Sequence, residues 1–227
     1  ADLDALERPE RAIPSGLIQK KEALIFGLAW LFLGIVLAYF VNLASVIIAT
    51  LLASFILIYD AWAKRSSFTG ALTMGVCRGL NLLLGISILG GLVHWQLAGI
   101  PLLYIFAITL ISQGEVHGGN KRNLLFAGLL YVSVILIVLY VVNAQESLNG
   151  ISIGALAVFA LAILIPWYKA YRSAAPNLIK KAVVAGVLSI ILLDVIFAVS
   201  FGHISYAFFV LLLLPISIGL GSLFKVT

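Results

Sequence analysis

Residues 123–142 read NLLFAGLLYVSVILIVLYVV: twenty positions without a formal charge, directly preceded by Lys121-Arg122. A helix needs about 20 predominantly apolar residues to cross the hydrocarbon core of a bilayer. This stretch is therefore a membrane span with a basic flank. Seven further runs of the same character lie on either side, at 23–41, 45–59, 71–93, 99–112, 151–167, 182–200 and 204–224. Together they occupy most of the 227 residues, so the connections are short and no soluble domain is expected. The runs are continuous, not alternating stretches of about ten residues, which excludes a β-barrel. The expected fold class is all-α, a polytopic transmembrane helix bundle.

Composition agrees with this. The chain is 63% hydrophobic and 10% charged, with a mean hydropathy of +1.18; a soluble domain is about half apolar and about a quarter charged. Disorder, a water-soluble enzyme core and nucleic-acid binding are excluded, and the net charge of +5 is read as membrane orientation. Cys77 is the one cysteine, so neither an internal disulfide nor a zinc cluster can form. Numbering the connections alternately puts thirteen of the fourteen Lys and Arg residues on one side, from Arg8 and Arg11 through Lys64, Arg65, Lys121 and Arg122 to Lys225; Arg78 falls inside a span. The opposite connections contain one formal charge, Glu146. Basic residues favour the cytoplasmic side, so both ends of the sequence are expected there, in a bacterial inner membrane or its equivalent.

Polar chemistry gathers on that basic side in three stretches. The first, Asp2-Leu3-Asp4-Ala5-Leu6-Glu7-Arg8-Pro9-Glu10-Arg11-Ala12-Ile13-Pro14-Ser15-Gly16, interleaves carboxylates with arginines. Hard cations such as Mg²⁺ take oxygen ligands and share them with phosphates; a solvated segment of mutually neutralising charges is the plainer reading. The second, Tyr59-Asp60-Ala61-Trp62-Ala63-Lys64-Arg65, ends on adjacent cations able to grip a diphosphate as point charge and as fork. The plainer reading is a positive-inside stop signal with Tyr59 and Trp62 as interfacial anchors. The third runs Ser112-Gln113-Gly114-Glu115-Val116-His117-Gly118-Gly119-Asn120-Lys121-Arg122, where the glycines indicate an irregular turn and Glu115 and His117 are too close in sequence to share a helical face.

Inside the spans, Arg78 and Asp194 are costly enough to need a reason. Asn81 follows Arg78 at i+3, with Gly75 and Gly85 on nearby turns, which suggests a polar, thin-walled face lining a cavity; snorkelling of Arg78 is the alternative. Asp194 is read as a hydrogen-bonded residue packed against a neighbouring helix, at a depth too different from Arg78 to pair with it. His94 and His203 read as interfacial residues, and the scattered glycines as close-packing positions.

These residues bring out a resemblance. The run Asp4-x-x-x-Arg8-Pro9-x-Arg11-Ala12-Ile13-Pro14-Ser15-Gly16 is similar to the end of the first aspartate-rich motif of the UbiA superfamily of intramembrane prenyltransferases, N-D-x-x-D-x-x-x-D followed by R-P-x-R-P-I-P-S-G, with Ala12 in place of a proline. The family has nine helices; the eight spans here imply one more upstream, so residues 1–227 are expected to be a single transmembrane prenyltransferase-like domain whose first helix is missing. The Tyr59–Arg65 stretch resembles the family's diphosphate-contacting loop. Ser112, Glu115 and Gly119 fall near the aspartate positions of its second motif, which is thus reduced to one carboxylate. Glu115-Val-His-Gly-Gly, Cys77-Arg78-Gly-Leu-Asn81 and the terminal Lys-Val-Thr most resemble the EboC-like branch.

The resemblance implies transfer of an isoprenyl group from a prenyl diphosphate to a lipophilic acceptor, with membrane lipid as surroundings. It assigns Asp4 and Glu115 as the catalytic carboxylates that hold Mg²⁺. Arg8, Arg11, Lys64, Arg65, Arg78, Asn81 and Lys121 become substrate-binding residues, Arg78 and Asn81 bounding the acceptor's cavity. The reduced second motif motivates an alternative, a catalytically degenerate relative acting in transport or as a subunit of a larger membrane complex. An unrelated solute transporter would predict more ionisable residues at mid-membrane and paired broken helices.

Overall fold

The computed structural model describes residues 13, 15–115, 118, 120–147, 149–202 and 204–223. Eight α-helices follow in order: α1 Lys20–Tyr39, α2 Leu43–Ala61, α3 Ser67–Ser87, α4 Gly99–Ser112, α5 Lys121–Ala144, α6 Gly150–Ser173, α7 Pro176–Phe201 and α8 Ile204–Leu223. Among the described residues there is no strand. All eight expected spans are present, each long and apolar enough to cross a membrane. Several boundaries differ from the sequence reading: α6 continues past the expected 167 to Ser173, and α7 begins at Pro176, ahead of the expected 182. The short fourth run is lengthened by a 3₁₀ turn at Trp95–Ala98, making a span of 18 residues, Trp95–Ser112. The third run, expected at 71–93, begins earlier and ends at Ser87, because Gly90 takes a φ of 82° that a helix cannot continue through.

The chain divides into two compact units. The first contains the described residues up to 54 together with 80–95. Its organising contact is polar: Asn42, between α1 and α2, accepts from the Ser45 backbone N–H at 2.8 Å and donates to the Ser87 carbonyl at 2.7 Å. The hydroxyls of Ser45 and Ser87, both buried, meet at 2.7 Å. In lipid a backbone or hydroxyl group must find its partner within the protein, and here three residues close one such set. Helix α1 is almost wholly exposed, with only Ala38 buried.

The second unit contains residues 55–79 and 96 onward. Its core joins Ile100, Tyr104, Ile108 and Ile111 of α4, Tyr131, Val134 and Val138 of α5, Phe159 and Ile163 of α6, and Ile179 and Ile196 of α7. Small residues permit close helix approach, as membrane packing requires. A Cβ on Gly75 would lie 2.5 Å from the Leu102 carbonyl oxygen, so α3 lies against the α4 backbone there. Gly128 of α5 is covered by the Trp167 ring, whose Nε1 donates to the Leu124 carbonyl at 2.7 Å. Caps mark the helix starts: Asn120 accepts from the Arg122 N–H, and Asn149 from those of Ile151 and Ser152, while Pro176 opens α7, where its missing N–H costs nothing.

Candidate functional site

Within the second unit, one end is organised around the α2–α3 and α4–α5 connections. The first is a tight 3₁₀ turn, Ala63–Arg65. Ala63 is buried, its carbonyl accepts from Thr69 Oγ1 at 3.1 Å, and Gly70 closes over it so that a Cβ would stand 3.1 Å from that carbonyl and 3.3 Å from Lys64 Cα. The turn is thus pinned to the first turn of α3, which sets where Lys64 emerges. The second connection leaves α4 at Gln113, and Gly118 takes a φ of 89°, a conformation suited to glycine.

Between these connections lies a cavity of about 460 Å³. Its wall combines Tyr59 and Lys64, then Ser66, Ser67, Gly70 and Ala71 from the start of α3. The end of α4 contributes Thr109 to Ser112 with Gln113 and Gly114, and Gly118, Asn120, Asn123 and Leu124 complete it. Among these residues Lys64 carries the only formal charge. Its Nζ lies 3.5 Å from Asp60 Oδ1, one turn back, with both side chains substantially exposed. A pair of this kind is worth about 0–1 kcal/mol, so it steadies the ammonium without committing it. Beside Lys64 sits a set of neutral hydrogen bonds. Ser67 Oγ donates to Gln113 Oε1, Gln113 Nε2 donates to the Ser67 carbonyl at 2.6 Å, and Asn123 Nδ2 donates to Ser67 Oγ at 3.1 Å and Gln113 Oε1 at 3.2 Å.

The residues singled out from the sequence fare differently. Lys64 lines the cavity, and Glu115 and Lys121 each adjoin a lining residue in the chain, Gly114 and Asn120. Arg65 is exposed in the 3₁₀ turn and is not part of the wall. Arg78 is eleven residues into α3, about 16 Å along it at about 1.5 Å per residue, and does not line the cavity. It is exposed, as is Asp194 of α7; the two interact electrostatically without forming an ion pair among the described residues. Asn81 is exposed on the part of α3 belonging to the first unit. Gly75 does not share the exposed face of Arg78, since it packs on α4, whereas Gly85 has open space beside it. Asp4, Arg8, Arg11, His117 and His203 lie outside the described residues.

Ser67, Gln113 and Asn123 carry no ligand signal in the sequence. Serine, glutamine and asparagine carry no charge signal, and 46 and 10 residues separate the partners. Regarding Mg²⁺, the ion prefers hard oxygen donors; the wall has hydroxyl oxygens at Thr109 and Ser112, each donating its proton to a backbone carbonyl, while Ser67, Gln113 and Asn123 are occupied with one another. Among the described residues no three His, Cys, Asp or Glu side chains come together. Of the assigned metal carboxylates, Glu115 adjoins the wall, and Asp4 lies in the undescribed segment.

Comparison with known proteins identifies the group. The model of the UbiA prenyltransferase family matches residues 1–114, which carry both the Asp4–Gly16 motif and the Lys64 turn. Similar proteins include digeranylgeranylglyceryl phosphate synthases of three archaea. That of Methanococcoides burtonii is 34% identical over 54% of this chain and 44% of its own length. That of Methanosarcina mazei is 30% identical over 50% and 38%, and that of Thermococcus kodakarensis 27% over 72% and 63%. The matches thus span less than two thirds of these relatives. No solved structure matches the chain. With eight membrane-crossing helices and a family match over half its length, this integral multi-pass membrane protein belongs to the UbiA prenyltransferase family.

Proposed function

We propose that the protein transfers an isoprenyl group from a prenyl diphosphate to a lipophilic acceptor, with the diphosphate seated in the cavity at Lys64. The observation that carries this reading is the cavity itself: one ammonium among hydroxyl and amide groups, at the end of apolar helices of a family that performs prenyl transfer. The basic side faces the cytoplasm in this reading. Geranylgeranyl diphosphate is the first donor to test, on the strength of the relatives' name. Within the family we assign the chain to the EboC-like branch, on Cys77–Asn81 and Glu115–Gly119.

In the reaction the bond between the allylic carbon and the diphosphate oxygen breaks, and its electron pair leaves with the diphosphate. Lys64 balances the charge that accumulates there, with Arg65, Lys121, Arg8 and Arg11 assigned as further cations for the diphosphate, and preorganised cations stabilise such charge best. The acceptor's nucleophilic atom then bonds to the cationic carbon and gives up its proton. The isoprenyl tail runs among apolar side chains, where water is scarce and the carbocation is protected from hydrolysis. Magnesium, held by Asp4 and Glu115, would add charge neutralisation at the diphosphate.

The test is release of diphosphate by the purified chain in lipid vesicles with Mg²⁺, using prenyl diphosphates of several lengths and a panel of lipophilic acceptors. Lys64→Ala and Asp4→Ala should each lower kcat/KM at least roughly tenfold, a loss of about 1.4 kcal/mol in transition-state stabilisation. Turnover unchanged in both variants sinks the site assignment. Absence of release with every donor and acceptor favours the degenerate reading, a transport or subunit role, to which the single carboxylate of the second motif points.

A further inference from the structure

Ser67 is the first residue of α3, Gln113 ends α4, and Asn123 lies in the first turn of α5. Their side chains meet at the cavity wall although 46 residues separate Ser67 from Gln113 and 56 separate it from Asn123. Gln113 uses both ends of its amide: Oε1 accepts from Ser67 Oγ and Asn123 Nδ2, and Nε2 donates to the Ser67 carbonyl. Only an amide of this length serves in both senses, since a carboxylate lacks the donor and an ammonium the acceptor. The groups are mutually occupied, so they do not stand ready as ligands. What they do is tie three helix ends together around the connection that carries Gly114, Glu115, Gly118 and Asn120. Connections of this kind are drawn from the least stable parts of a fold, and this one forms a side of the cavity.

We propose that Gln113, through Ser67 and Asn123, is a positioning residue for the anionic headgroup: a neutral clasp that holds the α4–α5 connection, with Glu115 and Lys121, against the start of α3 and so sets the affinity of the cavity without touching the ligand. This rests on the reading of the cavity as a diphosphate site. Its hydrogen bonds are solvent-exposed and contribute modestly to overall stability, so its loss is felt in binding before it is felt in folding. Supporting shells that orient ligating groups are worth roughly ten- to hundredfold in affinity.

The experiment titrates inorganic diphosphate, with Mg²⁺, into the full chain in lipid nanodiscs and measures Kd for wild type, Gln113→Met, Ser67→Ala and Ser67→Thr. Gln113→Met keeps the side chain's length and removes both hydrogen-bonding ends without adding charge. The expected result is binding weakened roughly tenfold in Gln113→Met and Ser67→Ala and retained in Ser67→Thr, which keeps the hydroxyl. In turnover the same variants should raise KM for the prenyl diphosphate and leave kcat within about twofold. Wild type that binds while Gln113→Met and Ser67→Ala bind equally well overturns the clasp alone. A lowered melting temperature with unchanged Kd does the same, since that is a purely structural role. Wild type that fails to bind diphosphate overturns the reading of the cavity, and the clasp's role with it. Should Gln113→Met fail to fold, the contrast between Ser67→Ala and Ser67→Thr decides.

Discussion

Gly128→Ala tests whether the contact between α5 and α6 is as close as the structure has it. The added methyl would fall within the Trp167 ring, meeting its Cζ2, Cε2 and Cη2 atoms, so the indole must leave its position. That position is held by the bond from Nε1 to the Leu124 carbonyl at 2.7 Å and by stacking on Tyr171, centroids 5.7 Å apart and planes 17° from parallel. Overpacking a close-packed interior costs about 1–3 kcal/mol. Losing an interhelical hydrogen bond in a membrane adds about 0.6, up to about 1.7, and losing the stacked pair about 0.5–1.5. Alanine's better helix propensity offsets up to about 1 kcal/mol. The expected net loss is roughly 1–6 kcal/mol, read from reversible unfolding in mixed micelles. The decisive comparison is made in a Trp167→Leu background, where the methyl has room. There Gly128→Ala should cost no more than about 0.5 kcal/mol, giving a coupling well above the additive limit. Equal costs in both backgrounds, or a wild-type-like single variant, would refute the reasoning.

Two further predictions concern buried hydroxyls and close helix contacts. The Tyr131 hydroxyl is buried without a hydrogen-bond partner among the described residues, whereas the Tyr104 hydroxyl donates to the Gly186 carbonyl at 2.7 Å. Tyr131→Phe should therefore be neutral or slightly stabilising and Tyr104→Phe should cost about 1 kcal/mol, both measured by the same unfolding titration; the reverse order would contradict the hydrogen-bond assignment. Gly75→Ala should destabilise by about 1–3 kcal/mol, because its methyl meets the Leu102 carbonyl at 2.5 Å and a backbone cannot yield cheaply. Gly85→Ala, with nothing within 4 Å of its methyl, should be neutral, and equal melting temperatures for the two variants would argue against the close approach of α3 to α4.

Helices α4 and α7 illustrate what local reading can and cannot achieve. The sequence alone determines that eight segments are helical spans, because in hydrocarbon each backbone must satisfy its own hydrogen bonds, and a run such as 123–142 has no other way to do so. It also determines the chemistry of charged groups: Lys64 stands out in a turn between apolar runs, and the Asp4–Gly16 motif marks the family. Charge and hydropathy are properties of a residue and its near neighbours, so they are visible before folding. Ser67, Gln113 and Asn123 are ordinary polar residues at three helix ends, and their significance lies in meeting one another. The same holds for Tyr104 at Gly186 and for Trp167 over Gly128. Side-chain hydrogen bonds and close packing depend on distances of a few ångströms between residues tens of positions apart, and only the tertiary structure decides those distances.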